Sequence, residues 1–492
     1  MKKLLIFIVA YNHENFIEKT FSRIDKNIFK KYETEILISD DTSTDRTLEI
    51  IKDLKKKFEE DLKITILSNP KNLGYGGNQK IGYFYAIKNN FDFVALLHGD
   101  GQYAPELLEK LLTSLDDKDT MAVFGSRMMS KFGALNGGMP LYKFIGNKIL
   151  TFFQNKILSA NLSEFHSGYR IYKVKALKEI PFYLNSDDWS FDTEIIIQFL
   201  ISKFKIFEVA IPTYYGDEIS YVNGLKYAYQ IMRESIKAKI QKFGILYQKK
   251  YDLITSEENY HLKINFFSTH SHTINLINEN STVLDIGCNN GKLGELLIKK
   301  KKCKVYGIDE LNKKNDKLNF FYPCNLNEDL PELNYNELDY VIFLDVIEHL
   351  KDPDYFMLKL YEKLSCNEKV KIIISTPNIS FFIIRFMLLF GSFNYGKRGI
   401  LDKTHTRLFT FSSFKKLIEN SNFEIEKTIG IPAPIPLAIG DNFLGNLLLK
   451  INNFLIFLWK SFFSYQILNT IKPKKSLDLL LKKAEDEAKK IS

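Results

Sequence analysis

The sequence predicts an α/β protein of two domains, and three observations carry that prediction. Apolar strand-like runs alternate with amphipathic helical segments from residue 3 to 97. The pattern then begins again at Val283-Leu-Asp-Ile-Gly-Cys-Asn-Asn-Gly291, where a strand runs into a glycine-bearing loop. Finally, 492 residues are more than one ordinary core holds, since chains divide beyond roughly 250–300 residues.

Composition agrees with a folded globular chain, being 45% hydrophobic and 26% charged. The formal charge of +9 comes from scattered lysines such as Lys299 to Lys302, which read as solvated helix faces. A basic surface also suits anionic lipid or phosphorylated substrates. No nucleic-acid-binding module accompanies the charge, so nucleic acid is not an expected partner. Cys288, Cys303, Cys324 and Cys366 lack C-x-x-C spacing, which points to a reducing compartment and away from a zinc–cysteine site. Met1 to Ala10 resembles a signal peptide, but no small-residue cleavage site follows its short apolar run, and residues 4–10 read better as a buried first strand. No run of 18 uncharged apolar residues is present, so no spanning helix is expected; the cysteine pattern suits the cytoplasm, with peripheral contact at the cytoplasmic face of the membrane.

In order, the first domain (1–224) reads as strand 3–10, helix 14–29, strand 34–39, helix 45–60, strand 62–67, helix 77–89 and strand 92–97. Such alternation predicts a mostly parallel sheet with helices on both faces, and ligands then bind beyond the carboxyl ends of the strands. The second strand ends in Ser39-Asp40-Asp41-Thr42-Ser43-Thr44-Asp45. Thr44 or Asp45 can cap the next helix, whereas Asp40 and Asp41 together exceed that need and can accept hydrogen bonds from a nucleobase or ribose. The fourth strand ends in His98-Gly-Asp-Gly-Gln102. If that segment is extended, His98, Asp100 and Gln102 share one face and are plausible ligands for Mg²⁺ or Mn²⁺; a polar glycine-rich turn is the alternative.

These segments resemble the inverting GT-A glycosyltransferases of family 2, in the dolichol-phosphate-mannose-synthase-like branch. The resemblance runs in order through Val9 to Glu14, Ile38 to Thr47, Asn72-Leu-Gly74 with Gly76-Gly77, His98 to Gln102, Gly125-Ser126-Arg127, Ser167-Gly168-Tyr169-Arg170 and Glu208 to Pro212. It implies that Tyr11, Glu14 and Asp41 hold the nucleotide, and that Asp100 and Gln102 bind a metal bridging the diphosphate. His98 stands where the pattern has its first aspartate, and Ala10 where it has proline. The implied reaction transfers sugar from a nucleotide-sugar with inversion, to a polyprenyl-phosphate, which needs no base, or to a glycan hydroxyl, which does. Glu164, His166, Asp187 and Asp188 are the candidate bases. Arg127 and Arg170 are candidate phosphate clamps. The charge of Glu194 suits a helix start.

Residues 225–264 read as a helical linker, with 225–250 carrying aromatic and aliphatic residues at helical spacing. Docking against the domain is the plainer reading, and contact with a membrane surface the sharper one. The second domain (265–430) reads as helix 265–279, strand 282–286, loop 287–291, helix 292–301 and strand 303–308. The loop fails the G-x-G-x-x-G pattern, but Asn289 can adopt positive φ and Asp309 is placed for ribose hydroxyls.

With Leu338 to Pro353, Lys371 to Asn378 and Leu401 to Thr410, this half resembles the Rossmann-like class I S-adenosylmethionine-dependent methyltransferases. The resemblance implies Asp285, Gly287 and Gly291 around the methionine moiety, Asp309 on ribose and Asn325 near adenine. For a hydroxyl acceptor, His349 and His405 are the candidate bases, because imidazole titrates near neutral pH. Residues 379–393 read as a packed or lid helix. A tail, 431–492, reads as apolar or amphipathic helix, of which 443–468 is either packed or lies on a bilayer, giving a possible peripheral membrane contact. The expectation is a bifunctional enzyme of envelope polysaccharide synthesis, against alternatives in which one domain only binds or scaffolds, or the chain is a membrane adaptor. Nothing in the sequence sets the oligomeric state.

Overall fold

The computed structural model describes residues 1–130, 132–214, 223–241, 247–253, 262–310 and 316–475. The chain divides into two compact units, Met1–Lys242 with Gln248–Glu257, and Phe243–Tyr247 with Glu258–Ser492.

The first unit is a seven-stranded sheet formed by β1 (Lys3–Ala10), β2 (Glu33–Asp40), β3 (Lys63–Ser68), β4 (Phe93–His98), β5 (Thr120–Ser126), β6 (Arg170–Lys173) and β7 (Lys205–Ala210). Their order is β3-β2-β1-β4-β6-β5-β7. The first four in that order are parallel, as the alternation predicts, while β6 runs antiparallel to both β4 and β5, so the sheet is mixed. β1 is buried from Leu4 to Ala10, the mark of a strand covered on both faces, and its registration beside β2 and β4 puts Ala10, Asp40 and His98 at one edge. The segment expected as one helix over 14–29 forms two short helices, Ile17–Ser22 and Ile28–Lys31.

Helix Gly224–Gln241 belongs to this unit: Ile231 and Ala238 are buried, and its Glu234 pairs with Lys250 at 2.9 Å. Helix Leu141–Leu158 is inside out. Its buried side chains are the polar Asn147, Thr151 and Gln154, while Leu141, Tyr142, Ile145, Ile149, Phe152 and Phe153 face outward.

The second unit is a seven-stranded sheet of β8 (Thr282–Ile286), β9 (Lys304–Asp309), β10 (Phe320–Pro323), β11 (Tyr340–Leu344), β12 (Lys371–Pro377), β13 (Phe423–Ile431) and β14 (Gln466–Pro473), ordered β10-β9-β8-β11-β12-β14-β13. Five strands are parallel, and β14 inserts antiparallel between β12 and β13. This corrects the expectation of a wholly helical tail over 431–492. Helices Phe443–Leu458 and Lys460–Phe463 are present, but Gln466 to Pro473 pairs along its whole length and buries Ile467, Leu468 and Ile471. The rest of the tail, 476–492, and parts of the linker lie outside the described residues. The helix expected over 265–279 is Thr269–Leu276, started by a capping box in which Ser268 and Ser271 satisfy each other's backbone N–H groups.

Candidate active sites

In the first unit the carboxyl edge of β1, β2 and β4 gathers most of the residues the sequence singles out. Asp41 is fully engaged within the protein. Its Oδ1 accepts from Asn69 Nδ2 (2.7 Å) and Leu73 N (2.9 Å), and its Oδ2 from Gly74 N (3.0 Å). It therefore fixes the 69–74 loop. Asp40 is different: Oδ2 takes only Ser43 N at 3.2 Å, and the buried Oδ1 has no partner. A buried carboxylate oxygen left unpaired is costly, so a ligand N–H or O–H fits there. Glu14 accepts from Arg46 N at 3.0 Å and donates its own N–H to Asp45 at 3.1 Å, tying the β1 loop to helix Thr47–Phe58. Tyr11 sits half-buried in that loop.

The β4 terminus is a turn, which corrects the extended reading. β4 stops at His98, Gly101 N donates to His98 O, and Gly101 has φ +70°. Asp100 folds back to accept from Gln102 N at 3.0 Å, so strand alternation no longer sets where these side chains point. The His98 ring lies edge-on to Tyr75 and Tyr103, at 5.5 and 5.0 Å between centroids, with Nε2 3.2 Å from the Tyr75 hydroxyl. Burial holds its pKa below the usual imidazole value. A Cβ on Gly168 would lie 2.5 Å from this ring, so the glycine lets the 167–170 segment close over it. His98 is thus packed between two tyrosines with its pKa lowered, and Asp100 and Gln102 are the groups at this turn with an oxygen to offer a cation.

Neither arginine is free to clamp phosphate as expected. Arg127 Nε bonds Glu164 Oε1 at 3.1 Å and its backbone N–H bonds Oε2 at 2.8 Å, both residues being buried. Glu164 also accepts from Asn147 Nδ2 at 2.8 Å, and the arginine keeps its carboxyl pKa low despite burial. A carboxylate so engaged is a poor proton acceptor, which removes Glu164 as a base. Arg170 is wholly buried and pairs with Asp192 at 3.3 Å while donating to the carbonyls of Ser167, Asp192 and Phe165. His166 Nδ1 meets the Tyr227 hydroxyl at 2.9 Å, and burial pushes its pKa down to about 4, so it is neutral. Asp187 pairs with Lys80 at 2.7 Å, and Asp188 accepts from Ser190 N and Gln230, each at 2.8 Å. Glu194 is no simple helix-start charge, since it holds Ser186 by N–H and hydroxyl, and pairs with Lys250.

Sequence reasoning missed Tyr75, Asp192 and His13. Tyr75 donates to Asp192 at 2.9 Å and stacks on Trp189 at 4.2 Å, joining the glycine segment to the 187–192 loop. Its signal lay between Gly74 and Gly76, within a segment already noted. His13 lies beside Asp100 and His98, with Nδ1 buried and unpartnered.

In the second unit the glycine loop follows β8. Gly287 and Gly291 have φ of +72° and +69°, and Asn289 adopts +48° as its side chain permits. A Cβ on Gly287 would meet Val346 Cγ2 at 2.5 Å. Asp309, at the end of β9, accepts from Asn289 N at 2.7 Å and so fixes the loop. Asp285 is buried with Oδ2 unpartnered, and burial plus the nearby Asp309 push its pKa up to about 8. An uncompensated buried acid beneath a glycine loop suits a cationic ligand. Beyond β9 and β10 lies a cavity of about 330 Å³ lined by Glu310, Pro323, Cys324 and Asn325. Asn325 holds Asn327 N at 3.1 Å and Glu328 at 3.0 Å, on the rim of that cavity. His349 and His405, 56 residues apart in the chain, meet edge-to-face at 4.8 Å because Thr406 and Arg407 dock their N–H groups on Glu348 O.

Residues 5–181 match the family model of glycosyl transferase family 2, and residues 258–428 match that of a methyltransferase domain. The chain therefore carries a glycosyl transferase family 2 domain and a methyltransferase domain, and both indicate enzymatic activity. Among similar proteins, the UDP-N-acetylglucosamine–dolichyl-phosphate N-acetylglucosaminyltransferase of Methanococcus voltae is 27% identical, covering 44% of this chain and 87% of that protein. The polyprenol monophosphomannose synthase of Mycolicibacterium smegmatis is 21% identical over 43% and 77%. A solved S-adenosylmethionine-dependent methyltransferase from Aquifex aeolicus overlays 42% of this chain and 91% of its own, at 14% identity and a TM-score of 0.27.

Proposed function

We propose that the chain is a bifunctional enzyme of cell-envelope polysaccharide synthesis. Its first unit transfers sugar with inversion from a nucleotide-sugar to a polyprenyl-phosphate or glycan, and its second transfers methyl from S-adenosylmethionine to a sugar or related small molecule. The observation that carries this reading is that each unit keeps an unpaired buried acid at the carboxyl edge of its own sheet, Asp40 Oδ1 in one and Asp285 Oδ2 in the other. The named relatives act on dolichyl or polyprenol phosphates, which supports a lipid phosphate acceptor.

In the first unit Asp40, Tyr11 and Glu14 line the place for the nucleotide, and Asp100 with Gln102 is the place for Mg²⁺ or Mn²⁺. Such an ion neutralises the leaving diphosphate. With Glu164 held by Arg127 and Asn147, the most deeply buried of the candidate bases is already engaged, which favours an acceptor already ionised, such as a polyprenyl phosphate, over a sugar hydroxyl. The outward apolar face of helix Leu141–Leu158, with Lys143, Lys148 and Lys156 and no acidic residue, suits the lipid surface that carries this acceptor. Among the described residues no helix is long and apolar enough to cross a membrane.

In the second unit Asp285, Gly287, Gly291 and Asp309 surround the place for the methyl donor, with Asn325 at the cavity for adenine. The donor supplies an electrophilic methyl group, and the His349–His405 pair stands where the acceptor loses its proton.

The test is nucleoside diphosphate release from a panel of nucleotide-sugars with Mn²⁺ and a short polyprenyl phosphate. The wild-type chain should turn over, Asp100→Asn should lose at least about 10²-fold, and His98→Ala should keep its metal dependence. Equal activity in Asp100→Asn would sink the metal assignment. No turnover with any donor would leave this unit a binding module.

A further inference from the structure

We propose that Glu348, His349 and His405 form a divalent transition-metal site in the methyltransferase unit, taking an ion of the class of Mn²⁺, Co²⁺ or Zn²⁺. One ligand atom from each of the three lies within 4.8 Å of the other two. Glu348 is buried, with neither carboxylate oxygen in a well-formed hydrogen bond. Leaving both oxygens unpaired is expensive, and a cation is the partner that satisfies both at once.

The two imidazoles are oriented for the same task. His349 Nδ1 faces Thr404 O at 3.3 Å and His405 Nδ1 faces Ile400 O at 3.0 Å. A nitrogen facing a carbonyl carries the hydrogen, so the lone pair of each ring resides on Nε2. Outer carbonyls that fix the tautomer in this way are the usual support of metal-bound histidines. Two imidazoles and one carboxylate favour first-row divalent ions and leave coordination positions open. Asp345 and Asp402 act electrostatically on Glu348, so the surrounding field favours a cation. The exposed His349 leaves the site accessible from solvent.

Placement gives the ion a use. The site follows β11, the strand beside β8, and Val346 of the same loop fills the space a Cβ on Gly287 of the glycine loop would need. A hydroxyl coordinated there would sit beside the glycine loop and would give up its proton to solvent more readily. The oxygen–methyl carbon bond would form as the methyl carbon–sulfur bond of the donor breaks, its electron pair going to sulfur to leave a neutral thioether. This use rests on the methyl-transfer reading, whereas metal binding does not.

The test is titration of Co²⁺ into the metal-stripped full chain, followed by its visible ligand-field bands, with S-adenosylmethionine binding measured on the same samples. Asp100→Asn should keep the imidazole-bound Co²⁺ spectrum. Glu348→Gln and His405→Asn should weaken Co²⁺ binding at least tenfold while retaining donor binding. His349→Asn, on the surface, should do the same without burdening the fold. Unchanged Co²⁺ affinity and spectrum in His349→Asn and Glu348→Gln would overturn the site. Loss of donor binding in the wild-type chain would instead overturn the methyltransferase reading while leaving the metal result standing.

Discussion

The Asp285 carboxyl is held near a pKa of about 8, against an ordinary value of 3.8, by burial and by Asp309. The folded state therefore binds more protons than the unfolded one between about pH 4 and pH 8, so stability falls as pH rises through that window and levels off above it. Glu348, pushed the same way by burial and Asp345, steepens the slope. Urea melts at pH 5 and pH 8 should show the decline, and Asp285→Asn should reduce it, making the variant the more stable by a few kcal/mol at pH 8. An unchanged slope in that variant would contradict the assignment. Arg127 and Glu164 make the opposite case. The sequence marks each for a ligand, since guanidinium suits phosphate and carboxylate suits a proton, and only their joint burial reveals that they pair with each other. Arg127→Ala should destabilise the first unit by about 3–5 kcal/mol, and Arg127→Met with Glu164→Gln should recover much of that loss. Thermal melts of the single and double variants check it.

At the level of elements, strand ends were legible and strand exits were not. β1, β2, β4, β8 and β9 fall within about a residue of their expected spans because continuous apolar runs with a polar terminus admit no other reading. The exit from β4 stayed open between an extended segment and a glycine-rich turn because alternation does not announce where a strand stops, and Gly101 turns the chain there. β14 was hidden behind the apolar helices before it, whose composition matches its own. Two glycines separate backbone need from convenience. Gly287→Ala meets both a left-handed φ and the Val346 methyl, so donor binding should be lost with at least about 1–2 kcal/mol of stability. Gly146→Ala meets nothing within 4 Å in mid-helix, and should stabilise by about 0.5–1 kcal/mol. Helix Leu141–Leu158 shows what periodicity leaves open, because an apolar stripe does not say whether it faces the core or the outside. Phe152→Glu with Ile149→Glu should abolish co-flotation with anionic vesicles while leaving the melting temperature within a few degrees. Flotation equal to wild type would remove this helix from the lipid surface.

At the scale of the molecule, the two halves solve different chemical problems on related sheets. The first sheet ends in Asp40 and Asp41 at the end of β2 and Asp100 after β4, whereas the second ends in a glycine loop over the buried Asp285, whose pKa burial raises. The polar residues at both sets of strand ends were legible, since they close apolar runs, and the carboxyl ends of parallel strands are where ligands gather in such sheets. Their detailed roles were less so, because Tyr75, Asp192 and the Glu348 carboxylate acquire meaning only from residues distant in sequence. The most direct measurement follows both transfers in one purified chain, as nucleoside diphosphate release and as methyl incorporation from S-adenosylmethionine. Asp100→Asn should lose the first and keep the second, and Gly287→Ala should lose the second and keep the first. Loss of both transfers from either substitution, or survival of both in either variant, would contradict two separate active sites in this polypeptide.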